Sequence, residues 1–165
     1  MENKDKKNYL KKCNDRIYEQ LTYAETKNAI LSALLGATIF GIVGIIMDLN
    51  VEVFLWLIIV LGVSMLSMVV ALIISLYSFV PIVSTLNSKR NLYFYGDIAN
   101  YKDGIEYLEA VDNSKNLEEQ LADQNIKVSQ IICRKHKKFS LALNFTIASI
   151  LPIYYIYMII KAVRN

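Results

Sequence analysis

Apolar residues in this chain come in blocks rather than at even spacing. Three stretches carry no charged side chain: 29–47 with 19 residues, 53–88 with 36, and 139–160 with 22. A helix rises ~1.5 Å per residue and needs ~20 residues to cross ~30 Å of hydrocarbon, so each block is long enough to span a bilayer. Ahead of the first block the pattern changes. Leu10, Cys13, Ile17, Leu21 and Ala24 recur at spacings of three and four and draw one apolar stripe along a charged helix. No glycine or proline interrupts that helix before Gly36, so it is expected to run unbroken into the first block. Pro81 marks a kink or an end of the second block. Asn116 followed by Glu119 has the form of a capping box, opening a last helix lined by Leu117, Leu121, Val128 and Ile132 with no breaker before Pro152. Residues 91–112 mix aromatics with Gly96, Gly104 and Asp/Asn; a short helix from about 98 to 110, interrupted or kinked near Gly104, is expected there.

These elements predict an all-α membrane protein with about three transmembrane helices, helical cytoplasmic extensions and no soluble β domain. The expected order is an amphipathic helix over 1–28, a first span at 29–47, an outer turn at 48–52 and a second span at 53–82. A helical segment at 83–138, a third span at 139–160 and a tail at 161–165 follow. In a soluble protein the blocks would need covering, and the rest of the 165 residues is too little chain to do it.

Charge sets the expected orientation. The net charge of +3 says little, but residues 1–28 hold seven Lys/Arg and 86–138 hold nine, whereas 48–52 hold none and two acids. The positive-inside rule places the N-terminus and 83–138 in the cytoplasm and the 48–52 turn outside. "RKHKK" at 134–138 pins the start of the third span to the same side. The tail then emerges outside, against the bias of Lys161 and Arg164. The first apolar block starts too far along to be a signal peptide.

Inside the spans, lipid offers helices no hydrophobic reason to associate, so small and polar residues mark the contacts. Ala29, Ala33, Ala37 and Gly41 form such a stripe in the first span. Ser67, Ala71 and Ser75, flanked by Ser64 and Ser78, form one in the second. Ser140, Asn144, Ala148 and Pro152 form one in the third. Packing within one bundle accounts for any single stripe; three in so short a chain point to a homo-oligomer. Asn144 is read as interhelical glue, with a pore-lining role as the alternative.

Catalytic chemistry is missing. His136 is the single histidine and stands in a lysine cluster; four of the six glycines fall in the spans, leaving no phosphate loop. Asp103, Glu106, Glu109 and Asp112 step by three and read as a solvated face rather than a metal site. Cys13 and Cys133 lack metal or redox spacing. "NFT" at 144–146 lies inside a span and cannot serve as a glycosylation acceptor. No enzyme, cofactor, metal site or nucleic-acid polymer partner is expected.

The distinctive stretch is "NSKRNLYFYGDIANY" at 87–101. Lys89 and Arg90 suit inner-side anchors, and the following aromatics suit an interfacial belt, a packed core or a stacking site for a flat ligand. The order of motifs resembles the transmembrane effectors of the Pycsar (pyrimidine cyclase) antiphage defence systems, the PycTM family. Lys27-Asn28-Ala29 stands for that family's "KA"-like pair entering the first span, more loosely than the family pattern. Tyr93-Phe94-Tyr95-Gly96 stands for its aromatic "FFG"-like box, Glu106-Tyr107 for its "eeY" motif, and Lys135 for its lysine-flanked last helix.

The resemblance implies a toxic effector. A cognate cyclase would supply cCMP or cUMP, and the effector would bind it and impair the inner membrane, aborting phage infection. The residues that would serve the ligand are Lys89, Arg90, Tyr93, Tyr95, Tyr101 and Lys102, which offer cations and aromatic planes within one segment. The packing or pore residues would be Ala33, Ala37, Gly41, Ser67, Ala71, Ser75 and Asn144. The alternatives are a ligand-independent small pore or scaffold, and an effector of another nucleotide-signalling defence cassette.

Overall fold

The computed structural model describes residues 3–48, 55–80 and 91–164. Five helices follow in order: α1 (Asn3–Asp48), α2 (Leu55–Tyr77), α3 (Tyr95–Ile98), α4 (Gly104–Asp112) and α5 (Leu117–Arg164). No strand occurs among the described residues. Helix α1 runs 46 residues from the charged stretch through the first apolar block without a break. Helix α5 runs 48 residues and contains Pro152, which a membrane helix tolerates where neighbouring groups take up the freed carbonyl.

The chain divides into two compact units. Unit 1 comprises Met1–Tyr23 and Pro81–Arg134; unit 2 comprises Ala24–Val80 and Lys135–Asn165. Helices α1 and α5 each supply a segment to both.

In unit 1 the expected stripes face inward. Leu121, Val128 and Ile132 of α5 are buried, and Leu10, Cys13, Ile17 and Leu21 of α1 are half-buried. Polar pairs tie the two helices at the same level. Asn14 Nδ2 donates to Asn125 Oδ1 at 2.7 Å, and Asn125 Nδ2 donates to the Leu10 carbonyl at 3.2 Å. The helix expected over 98–110, interrupted or kinked near Gly104, is interrupted: α3 ends at Ile98 and α4 starts at Gly104, with residues 99–103 between them. The interruption has its cause in Asp103, the cap of α4. Its carboxylate accepts from the Ile105 and Glu106 amides at 3.0 and 2.9 Å, so the chain starts a new helix instead of continuing the old one. Asn116 lies just ahead of α5, as the capping pattern predicts, and its carbonyl accepts from the Gln120 amide.

Unit 2 packs on Leu31, Leu35, Ile42, Met68, Ala71 and Ala142. Among the described residues two helices are long and apolar enough to cross a membrane: a stretch within α1 and Ile58–Tyr77 of α2. Only 22% of each apolar window is covered by the rest of the chain, whereas a soluble protein would bury such a helix almost wholly. The third expected span, 139–160, is helical within α5, and some of its side chains lie outside the described residues. Helix α2 ends at Tyr77 with the Ser78 and Phe79 amides turned back on Ser75 and Leu76. Pro81 and the 48–52 turn also lie outside the described residues, the turn apart from Asp48 at the end of α1.

Candidate functional site

The aromatic segment is held to α5 by one side chain. Gln120 accepts from the Leu92 amide through Oε1 at 2.9 Å, while its carbonyl accepts from Asn91 Nδ2 at 3.0 Å. Gln120 Nε2 also donates to Ser114 Oγ at 3.2 Å. Asn91 fixes the next turn: its amide donates to Asp97 Oδ2 at 2.8 Å, and its Oδ1 accepts from the Tyr93 amide at 2.8 Å. Tyr107 closes the arrangement by donating its hydroxyl to the Leu92 carbonyl at 2.9 Å. The backbone of the box is thus specified from three sides.

Gly96 belongs to this packing. A Cβ there would stand 2.7 Å from the edge of the Phe94 ring, so any larger residue would push the ring away. Phe94 in turn stacks on Tyr95 at 4.9 Å between ring centroids, tilted by 53°. The Tyr-Phe-Tyr-Gly order therefore has a local reason, whatever ligand the segment serves.

Beside Tyr93 the surface opens into a cleft of about 540 Å³, in the range of small-molecule sites. Lys6 and Lys7 of α1 line it, with Lys115, Asn116 and Glu118 at the start of α5. Free backbone amides at the N-terminus of a long helix attract an anion, and three ammonium groups add to that field. Glu118 and Glu119, which also line the cleft, work against it, and Glu118 pairs with Lys6 at 3.7 Å. Burial, with Tyr107 as a lesser cause, pushes the Tyr93 hydroxyl above its ordinary range, so it stays a neutral donor at physiological pH. A phosphate carried on a planar ring matches this mixture of cations, donors and one aromatic face.

Of the ligand residues expected from the sequence, Tyr93 lines the cleft. Tyr95 is largely exposed. Tyr101 meets Tyr107 edge to face at 5.3 Å. Lys102 is exposed and its amide donates to the Glu106 carboxylate at 2.8 Å. None of these three is among the residues that line the cleft. Lys89 and Arg90 lie outside the described residues. Lys6, Lys7 and Lys115 were not singled out by sequence reasoning. Their charges blend into clusters that also satisfy the positive-inside rule, and only folding brings residues 6 and 115 to one cleft.

The packing residues divide as well. Ala71 and Ser75 are fully buried, and Ser67 is half-buried, donating to the Phe145 carbonyl at 3.1 Å. Ala33, Ala37, Gly41 and Asn144 are exposed. The inward face of α1 carries Asn28, Leu31, Leu35 and Ile42 instead. At the edge of unit 2, Lys27 sits over the Phe139 ring at 4.8 Å and Lys138 over the Tyr77 ring at 4.2 Å. Lys135 pairs with Glu25 at 2.8 Å.

No group of three or more His, Cys, Asp or Glu residues that could hold a metal occurs among the described residues. Comparison with curated proteins and with solved structures gives no match. The family described as the Pycsar effector protein domain, PycTM, matches residues 9–160, which includes the stretch 91–97, α5 as far as residue 160 and both apolar helices. The chain belongs to this Pycsar effector family, and so to the membrane effectors of an antiphage defence system.

Proposed function

We propose that this protein is a membrane effector without enzymatic activity, switched on by a cyclic pyrimidine mononucleotide, cCMP or cUMP, from a cognate cyclase. In this reading unit 2 sits in the bacterial inner membrane, unit 1 faces the cytoplasm, and ligand binding impairs the membrane's integrity. The observation that carries it is the unit 1 cleft, in a chain of this family, where three lysines, the start of α5 and Tyr93 meet. A cyclic phosphate at the start of α5 would compete with Glu118 for Lys6, and a pyrimidine would lie against Tyr93. Such a ligand shifts the protein only as far as it binds one arrangement better than another. The exposed Ala33–Ala37–Gly41 stripe supports assembly of several copies, since a lipid-facing surface of small residues lets helix backbones approach closely.

Calorimetric titration of the full chain with cCMP and cUMP, alongside dye release from vesicles, tests the reading. Binding of one nucleotide with leakage at the same concentration is expected. Lys115→Glu should weaken binding by about a hundredfold, the factor for two charge-assisted contacts. Leakage that ignores both nucleotides would favour a ligand-independent pore, and silence with both would end the reading.

A further inference from the structure

The interior of unit 2 is more polar than a lipid-embedded bundle needs. Ser32 Oγ and Ser75 Oγ stand 2.8 Å apart, and Ser75 donates to the Asn28 carbonyl at 3.2 Å, so Ser32 is the donor between the two hydroxyls. Asn28 Nδ2 donates to the Ala24 carbonyl at 3.0 Å and to Ser78 Oγ at 3.2 Å. Both its protons are then used. Asn28 Oδ1, in a residue only 1% exposed, has no protein donor. Ser64 Oγ, in a residue 2% exposed, also has no protein partner. Buried polar atoms without partners are rare in folded proteins and mark water or a functional path.

The helix register separates these two atoms. Asn28 meets Ser78, and Ser32 meets Ser75, so α1 and α2 run antiparallel here. Continued along both helices, this register puts Leu35 level with Ala71 and Ile42 level with Ser64. From residue 28 to residue 42 is a rise of about 21 Å, most of a bilayer's hydrocarbon. Between the polar atoms lie Leu35, Met68, Ala71 and Ala142, all buried and without polar side-chain atoms. Water needs roughly two to four polar partners to stay. The hydroxyls at this depth are already engaged, Ser67 on the Phe145 carbonyl and Thr146 on the Ala142 carbonyl, so the four apolar side chains leave water no site between them.

We propose that this seam is a shut water path through one copy of the chain, with hydration sites at Asn28 and Ser64 parted by an apolar plug of Leu35, Met68, Ala71 and Ala142. The ligand of both sites is water, and small ions follow it once the helices part and the plug wets. Apolar constrictions close pores in this way, by dewetting. The inference rests on the reading above that the protein impairs a membrane, and it places the leak inside one copy rather than between copies.

The test needs no nucleotide, so it stands apart from ligand recognition. Potassium efflux is measured from phosphatidylethanolamine–phosphatidylglycerol vesicles holding the full chain. Leu35→Asn and Met68→Asn wet the plug and should raise basal efflux at least about tenfold, the factor that ~1.4 kcal/mol represents. Leu34→Asn and Leu66→Asn put the same amide on the exposed face and should leave it within about twofold, less than half that free energy. Plug variants as tight as the unaltered protein, or controls that leak equally, would overturn the proposal. If the plug variants fail to fold, Ser75→Cys and Leu76→Cys, with Cys13 and Cys133 replaced by Ser, decide it. Faster reaction of Ser75→Cys with a charged, membrane-impermeant thiol reagent supports the path; equal or slower reaction overturns it. An efflux effect without any binding of cCMP or cUMP would count against the nucleotide alone.

Discussion

In unit 1 the buried amide of Asn125 is used at both ends, accepting from Asn14 and donating to the Leu10 carbonyl; in unit 2 the buried amide of Asn28 uses both protons and leaves its oxygen without a donor. Asn91 in unit 1 is likewise bonded through both side-chain atoms. The polar groups of unit 1 specify how two chain segments meet. Those of unit 2 lie along a seam that holds together through few, short-range bonds and an apolar middle. A segment that must present a cleft gains from having its backbone over-determined, whereas helices that must part gain from contacts that are individually weak. Bonds between membrane helices are worth only about 0.6 kcal/mol on average, because the separated helices also find partners. The contrast is not complete, since Gln124 Oε1 in unit 1 is buried without a partner too.

Breaking the contrast from the unit 1 side should cost most. Asn125→Leu strands Asn14 Nδ2 and removes the second bond to the Leu10 carbonyl, and should destabilise unit 1 by about 2 kcal/mol, read as a lowered midpoint for a probe within residues 1–23. Asn28→Leu in unit 2 should cost only about 1 kcal/mol, because the bonds lost are membrane bonds and an orphan acceptor goes with them. Equal losses at the two sites would erase the distinction. Gln120→Ala removes the acceptor for the Leu92 amide and should lower local stability by about 1–2 kcal/mol, seen as roughly tenfold faster hydrogen exchange at that amide. Gly96→Ala displaces the Phe94 ring and should cost about 1 kcal/mol, with a changed near-ultraviolet circular dichroism signal.

The smallest effects concern charge. Glu118→Gln breaks an exposed pair with Lys6 and should change stability by less than about 0.5 kcal/mol, while tightening nucleotide binding severalfold by removing a competing carboxylate. Unchanged binding would take Lys6 out of the site. The Tyr93 hydroxyl holds its proton more firmly in the fold than when unfolded. Its contribution is therefore full below the ordinary tyrosine value of 10.0 and is lost as pH rises through the higher folded value. Tyr93→Phe should flatten that alkaline slope in a comparison of unfolding at pH 9 and 11, conditions bracketing a tyrosine value of about 10.

The sequence by itself determined the helical class, the unbroken runs of α1 and α5, the start of α5 after Asn116, and the family. Each of these depends on residues near one another in the chain: charge-free blocks, three-and-four spacing, a cap, a short aromatic box. Tertiary structure alone decided which side of each helix faces inward. On α1 the small-residue stripe of Ala33, Ala37 and Gly41 has the spacing of a packing face, yet Asn28, Leu31 and Leu35 are the buried set. Periodicity ranks faces by composition, and in a membrane an apolar residue is as content against lipid as against protein, so composition does not choose between them. Asn144 is exposed for the same reason that Asn28 is buried: what counts is whether a neighbouring helix offers a partner, as Ser78 does for Asn28. The cleft follows the same rule, because its charge comes from residues 6, 7 and 115, about a hundred positions apart in the chain, and only the pairing of α1 with α5 through Asn14 and Asn125 sets them side by side.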